Sequence, residues 1–557
     1  MAHINNRTRQ GNRASSDNKN SRRNTEQQIA FKYSKLLKRN EDLDNLLKVI
    51  LSRNSESVIY PFPLNNSAIE LSPIRRNIPD TRYMDCRRIT YPDVTTMPTV
   101  SVVIIFHDEP LQLILRNIHS ILDKSPPALI LEIILVDDNS TLEYLKDDLD
   151  LYVSFLPNVK VIHNQKREGL IKSRMTGARS ASGDVLVFFD AHMECNIQWL
   201  EPLLTILMEE PTAILQPRID IISDQTLEYY SMNTGIDIRG GFSWDLRYSS
   251  FKVPLQFKPS DKTGHFWTPV LMGNAIAVRR LHFFRIGGFY EDLKIWGGEH
   301  FDLSFRNWLC SGHVYTVPCS RVGHLFKKYA GYSFDGDRVE VIIRNLMKVA
   351  EIWLEEYKNI FYRVTIAATP KMPKLTKHDN KSIAERIQLK QTLKCRPFQW
   401  YLDNVFPDQI FPHRDALVFG EISHWGSQRC LEVHGDIVGY TKECNIHSIL
   451  PQNTFTFTKN NKFLYKEKCV YIDDTDYELR VGTCNKTARV VDGVWKFPSP
   501  VKEGIIHFEA DDKRYFCVNM TDGTGVVEER AGPIATPCSS SGSGCTVWSF
   551  MYRFADI

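Results

Sequence analysis

Four apolar, β-branched runs separated by helical patterns constrain the fold of this chain more than any other feature. Val100–Phe106 (VSVVIIF), Glu132–Asp138 (EIILVDD), Val159–His163 (VKVIH) and Asp184–Asp190 (DVLVFFD) each have the length of a strand. Their near-continuous apolar character is that of strands covered on both faces. Leu111–Leu122 and Leu170–Ser180, lying between them, repeat apolar residues at helical spacing. Strand and helix in alternation predict βαβ units and a mainly parallel sheet. Ligands of such sheets bind beyond the carboxyl ends of the strands. Asp137, Asp138, Asp190 and His192 stand at those ends.

A length of 557 residues allows several domains, and the text changes character along the chain. Residues 1–30 are rich in Asn, Ser and Arg and read as a disordered basic arm; 31–84 carry Leu and Ile at helical spacing over 31–60 and read as a stem. The α/β pattern occupies 85–363. Arg338–Phe361 within it predicts one amphipathic helix with Ile342, Leu346, Val349, Trp353, Leu354 and Tyr357 on one face. A polar, Lys- and Pro-containing linker and inter-domain segment follows over 364–415. Residues 416–557 are short strands and turns in which Cys430, Cys469 and Cys517 recur at intervals of about forty residues, the period of a three-repeat β-trefoil. A net charge of +3, with no aromatic residues among the arginines of the arm, gives no nucleic-acid partner.

No window carries the roughly 18–20 apolar residues of a membrane span, and the opening residues lack the apolar core of a signal peptide. The cysteines point the other way. Cys430/Cys444 and Cys469/Cys484 enclose short loops without histidine partners, the pattern of disulfides rather than zinc sites. Sequons at Asn65, Asn485 and Asn519 agree with a lumenal compartment.

Asp190-Ala191-His192 carries the chemistry. In extended backbone, positions i and i+2 face the same side, so the carboxylate and imidazole can share one borderline divalent ion. Around this triplet stand FHDEP (106–110), EIILVDDNS (132–140), REGLIKSRMTGA (167–178), DVLVFFDAHMEC (184–195), NIQWLEPLL (196–204), RGGFSW (239–244), WGGEHFDLSFRNWLCSG (296–312), VGHLFKK (322–328) and CRPFQWYL (395–402). In order and spacing these segments resemble the polypeptide N-acetylgalactosaminyltransferases over about 80–557. The resemblance implies a GT-A (Rossmann-like) catalytic domain followed by a ricin-type β-trefoil lectin domain. It implies transfer of GalNAc from UDP-GalNAc to Ser or Thr hydroxyls of proteins, with retention, assisted by Mn²⁺ in the Golgi lumen. By position it gives Asp190, His192 and His324 as metal ligands. Asp138 and Arg167 would hold the uridine half, Lys327 the pyrophosphate and Gly273 the sugar. Trp296, Glu299 and Tyr332 would line the sugar and acceptor side, Glu299 and Trp296 as catalytic residues. It also implies the disulfides Cys86–Cys319, Cys310–Cys395, Cys430–Cys444, Cys469–Cys484 and Cys517–Cys538, with Cys195 and Cys545 free. Outside that frame plainer roles exist: Asp137 and Asp138 as turn caps, His324 as a core histidine, Trp296-Gly297-Gly298 as a tight turn, and Glu299 as the partner of Arg306.

The departures from the family pattern gather around the sugar. Met272-Gly273-Asn274 stands where the family carries Ala-Gly-Gly, Glu299-His300 where it carries Glu-Asn, and Lys327 where it carries Arg; Ala330 and Gly331 replace a polar residue and a proline. Bulk in a tight site costs about 1–3 kcal/mol, and lysine offers a point charge where arginine offers a bidentate fork. Two readings follow: a transferase with altered donor fit, or a catalytically inactive paralogue that keeps metal, UDP or peptide binding. In the lectin-like part, Leu431-Glu432, Val470-Tyr471 and Val518-Asn519 follow the first cysteines where an Asp is usual, which predicts weak or absent carbohydrate binding.

Overall fold

The computed structural model describes the chain from residue 72 onward, except 233–236, 311, 328–333, 335, 369–371, 410, 414, 425–428, 441–453, 486–489, 497–502, 520–533, 538–546 and 554–557, and before that only 43, 45–50 and 69. The basic arm and most of the stem therefore lie outside the described residues. Leu47 and Ile50, from the stem, pack into the core beside the central sheet.

That sheet is built on β1 (Val100–Phe106), which pairs in parallel with β2 (Ile130–Asp137) on one side and β4 (Val185–Asp190) on the other; β3 (Val159–His163) extends it beyond β2. All seven residues of β1 are buried. Val103 and Ile105 face one core and Val102, Ile104 and Phe106 the other, because successive side chains alternate across a strand. Helix α1 (Leu111–Lys124) covers the second face with Ile114, Leu115, Ile118 and Ile121; helix α2 (Leu170–Ser180) covers the first with Leu170, Ile171, Met175 and Ala178. Both helices and all four strands fall within two residues of their sequence-predicted bounds.

The sheet is mixed rather than parallel throughout. After β5 (Met193–Cys195) come β6 (Ile214–Ile222), β7 (Tyr229–Tyr230), the separate hairpin β8 (Ile238–Phe242) and β9 (Tyr248–Lys252), β10 (Phe266–Trp267), β11 (Ala275–Arg279) and β12 (Val314–Leu325). The main path runs β10-β12-β6-β11-β4-β1-β2-β3, with β11 antiparallel to both β4 and β6. Chain order reverses across β1 and β4. The cleft at their carboxyl ends is the switch point where open α/β sheets bind ligands.

The amphipathic stretch expected as one helix over Arg338–Phe361 is two. Preceded by α3 (Glu299–Leu309), helix α4 (Arg338–Trp353) stops, a 3-10 turn covers Glu355–Tyr357, and a second helix runs Lys358–Ala368. Glu355 takes a left-handed φ of 51°. Its carboxylate accepts from Lys390 Nζ (2.8 Å) and from the Phe398 amide (3.0 Å), contacts that turn the chain there. Val349 and Trp353 are buried as expected; Ile342 and Leu346 are only half-buried. The polar stretch read as linker contains helix α5 (Lys377–Thr392), opened by a capping box between Thr376 and Asp379.

From Ala416 every described strand pairing is antiparallel, in one nine-stranded and one four-stranded sheet. A separate core of aliphatic and aromatic residues, among them Leu431, Val470, Phe457, Phe463, Trp495, Phe508 and Phe516, fills it. This arrangement is compatible with the expected β-trefoil. Disulfides join Cys86 to Cys319, Cys310 to Cys395 and Cys469 to Cys484, and Cys195 is free and buried. Cys430 and Cys517 are disulfide-bonded, while Cys444, Cys538 and Cys545 lie outside the described residues.

Candidate metal centre

Two strand ends and one antiparallel ladder bring the metal-ligating residues together. β4 delivers Asp190, and the chain turns through His192 into β5. β5 then pairs antiparallel with β12, in a register that sets Met193 opposite His324. The Leu325 amide donates to the His192 carbonyl (3.2 Å), which closes the ladder. Ligand atoms of Asp190, His192 and His324 consequently lie within 4.8 Å of one another. His324 Nε2 is 3.3 Å from Asp190 Oδ2, and the two imidazole rings are 4.8 Å apart. His324 Nδ1 is buried without a hydrogen-bond partner, while His192 Nδ1 faces the Glu109 carboxylate at 3.3 Å. Orphaned polar atoms cost free energy in a closed protein interior, and a carboxylate with two imidazoles suits manganese or a similar divalent ion. The group fits the ion the sequence predicts.

Electrostatics hold Asp190 and His324 in the protonation states an ion requires. Burial pushes the Asp190 carboxyl upward, but the His324 hydrogen bond and the Arg174 guanidinium outweigh it and leave it below the usual range. Burial, reinforced by His192 and Lys327, keeps the His324 imidazole easier to deprotonate than usual despite the Asp190 bond. Arg174 was not singled out in the sequence, although it lies inside the quoted segment REGLIKSRMTGA. Fully buried on α2, it donates to Asp190 Oδ1 (3.0 Å) and to the Gly273 carbonyl (2.7 Å). Glu109 was also missed, inside FHDEP. Its carboxylate accepts from Lys327 Nζ (2.7 Å to each oxygen) and lies 3.3 Å from His192 Nδ1. Burial alone would raise its pKa, but Lys327 and His192 bring it to about 2. No local pattern marks either residue: Glu109 lies in a polar turn and Arg174 mid-helix beside Lys172 and Ser173.

One cavity of ≈ 210 Å³ gathers most of the predicted site: Asp138, Arg167, Asp190, His192, Trp296, His324 and Lys327 all line it. Asp138 is buried, and its carboxylate accepts from the Glu168 amide (2.8 Å), the Gly169 amide (2.9 Å), Asn164 Nδ2 (3.2 Å) and Arg167 Nη1. Gly169, at φ 88°, makes this possible: a Cβ there would sit 2.4 Å from Ile295 Cα. Arg167 keeps Nε and Nη2 buried without a protein partner. Asp137 does serve as a turn cap, accepting from the Ser140 amide (2.7 Å), and it also binds His163 Nδ1 (2.8 Å).

Glu299 and Gly273 stand beside this cavity rather than in its lining. Glu299 is buried at the start of α3, accepts from the Gly297 amide (3.1 Å) and lies 3.9 Å from Arg174 Nη1. It does not pair with Arg306, whose partner one turn away is Asp302 (3.0 Å). Gly273 has φ 95°, and a Cβ there would approach His300 Cβ to 3.3 Å, so the divergent loop and His300 are neighbours. Asn274 donates to Met272 Sδ (3.5 Å), whereas Asn274 Oδ1 and His300 Nε2 are buried without partners. Tyr332, with Lys328, Ala330 and Gly331, lies outside the described residues.

An open α/β sheet with a carboxylate-x-imidazole metal group at its switch point defines a GT-A glycosyltransferase. Residues 101–280 match the model of glycosyl transferase family 2, and residues 257–329 match the N-terminal domain of galactosyltransferase. Over 462 residues the chain is 35% identical to polypeptide N-acetylgalactosaminyltransferase 13 of Rattus norvegicus, which covers 78% of this chain and 80% of that one. It is 42% identical over 337 residues to polypeptide N-acetylgalactosaminyltransferase 11 of Xenopus tropicalis, covering 60% and 54%. A solved structure of GalNAc-T7 with UDP, GalNAc and Mn²⁺ superposes with a TM-score of 0.61 at 25% identity, covering 91% of each chain. The chain belongs to the polypeptide N-acetylgalactosaminyltransferase family.

Proposed function

We propose that this chain transfers GalNAc from UDP-GalNAc to Ser or Thr hydroxyls of polypeptides with retention, the initiating step of mucin-type O-glycosylation. The observation that carries the proposal is the convergence of Asp190, His192 and His324 on the cavity that also holds Arg167. GalNAc-T7, similar along its length, is solved with UDP, GalNAc and Mn²⁺. Manganese held by those three residues would neutralise the charge that develops on the departing diphosphate. Arg174 keeps one Asp190 oxygen engaged and so turns the other toward His324. Asp138 already accepts four donors from its own chain, the capacity of a carboxylate. Its role is to aim Arg167, whose two unpartnered nitrogens, Nε and Nη2, are what this chain offers the uridine half. Lys327 meets the pyrophosphate as a charge shared with Glu109. Glu299 and Trp296 are proposed to border the sugar, and Tyr332 the acceptor side.

Asn274 Oδ1 and His300 Nε2 favour altered donor fit over loss of activity. Buried acceptor and donor capacity beside Gly273 would be satisfied by sugar hydroxyls or the N-acetyl group. The lectin-like domain is proposed to bind carbohydrate weakly, since Tyr471, at one of the expected Asp positions, is buried. Disulfides support an oxidising compartment, and the Golgi lumen is the proposed one. No helix among the described residues is long and apolar enough to cross a membrane. The test incubates the protein with Mn²⁺, UDP-GalNAc and Thr-rich peptides. Peptide mass gain by one N-acetylhexosamine, lost on chelation, is expected. Manganese-dependent UDP binding with neither mass gain nor UDP release would overturn the transferase reading.

A further inference from the structure

At the end of the sheet opposite the metal centre lies a concave groove of ≈ 420 Å³ lined by three arginines, Arg279, Arg280 and Arg285. β11 pairs Arg279 with Val185, the first residue of β4, whose last residue is Asp190. At about 3.3 Å per residue this puts the groove roughly 16 Å from the metal ligands, beyond the reach of the donor site. Elsewhere in the domain Arg75, Arg82 and Arg174 are ion-paired. Arg279, Arg280 and Arg285 have no carboxylate partner among the described residues, and Arg280 Nε is buried without a hydrogen bond, its guanidinium lying over the Phe284 ring. Arg279 instead donates through Nε to the Leu207 carbonyl (3.2 Å), and Arg285 Nη2 lies 2.9 Å from His282 Nδ1. Those bonds fix the two side chains and leave their charge uncompensated. The one acid lining the groove, Asp184, is occupied by the amide and hydroxyl of Thr99 (3.0 and 2.9 Å). On the rim stands Leu281, 81% exposed, between Arg280 and the core-facing His282.

The geometry points to a docking groove for an acidic polypeptide segment that carries an apolar side chain beside its carboxylates. Clustered, pre-positioned guanidinium groups match carboxylates in fork geometry. An exposed leucine at the rim favours a peptide, because an anionic polysaccharide has no apolar side chain to cover it. A segment held there leaves the metal centre free, so the partner can be an acceptor protein bound at a second point or a chain that only tethers the enzyme.

The experiment uses the whole chain and a fluorescein-labelled peptide of repeated Glu-Glu-Leu, followed by polarisation at low and high salt. Binding that weakens as salt screens the charges is expected. Two variants test the groove: Arg279→Gln with Arg280→Gln and Arg285→Gln, and Arg285→Glu with Leu281→Ser, which changes exposed residues only and leaves the fold intact. Each should weaken binding about ten-fold or more, as charge changes at several contacts do, with manganese and UDP binding unchanged. Absence of peptide binding by the wild-type chain, or unchanged affinity in the exposed-residue variant, overturns the proposal. Variant-sensitive binding of heparin but not of the peptide overturns it in favour of a polysaccharide.

Discussion

Arg174 does more for the centre than its position on an ordinary helix implied. One guanidinium nitrogen bonds both Asp190 and the Gly273 carbonyl, coupling a metal ligand to the loop where the family pattern is broken. Replacing Met272 by Ala, with Asn274 kept as the acceptor offered to the sugar, should therefore raise turnover of UDP-GalNAc several-fold, in line with removal of about 1–3 kcal/mol of overpacking. The gain should appear in kcat more than in KM; steady-state kinetics with a Thr-rich peptide checks it. His324→Ala, by contrast, should cost more than about a hundred-fold in activity, beyond what outer residues of metal sites cost, with loss of manganese measured by electron paramagnetic resonance. Asp190 and His192 were legible because D-x-H at the end of an apolar strand has a physical reading; His324 came only with the family resemblance. Glu109 and Arg174 were not, since a lone charge inside a helix or turn carries no mark of what tertiary packing places opposite it. Asp138 was legible as a site residue, but its saturation by neighbouring donors was visible only in three dimensions.

The first four strands and their helices could be read because both faces of each strand are apolar, so burial on both sides is written into the text. α4 and α5 could not be, for different reasons. The pattern of α4 continues past Trp353, and only the capture of Glu355 by Lys390 and Phe398 ends it. α5 is polar around most of its circumference and is anchored by charge. Asp379 closes its capping box and also binds the fully buried Lys348 (2.6 Å). Asp379→Ala should destabilise the domain by about 3 kcal/mol, because the ammonium is left buried without its carboxylate; urea unfolding measures it. The end of β3 carries a pH dependence. Hydrogen bonds to Asp137 and Asp150 raise the His163 pKa from 6.5 to about 9. The charged form is the one the fold favours, so this stabilisation is complete below 6.5 and disappears as pH rises through 9. His163→Gln should flatten the stability difference between pH of about 6 and about 9.5, read by denaturant titration at both.

On the scale of the whole molecule, the domain can be described as two sheet halves joined along β4 and β11. The first half, β1 to β4, was plain in the sequence; the second was not, because β6, β11 and β12 pair across long stretches whose partners no local pattern reveals. The residues that would hold manganese come from both halves, Asp190 from β4 and His324 from β12. It should raise the midpoint of thermal unfolding, with a stabilisation of about 2.7 kcal/mol when free ion reaches a hundred times its Kd, and scanning calorimetry with and without chelator would show it. Asp190→Asn should abolish that increment.

The ladder between β5 and β12 makes the ion a report on completion. His324 arrives 134 residues after Asp190, so a nascent chain that has not yet emitted β12 owns only part of the chelate. Such a chain would hold manganese loosely and lose it to competing ligands. Tight capture of the ion would then await pairing of the last long strand, β12, with β5.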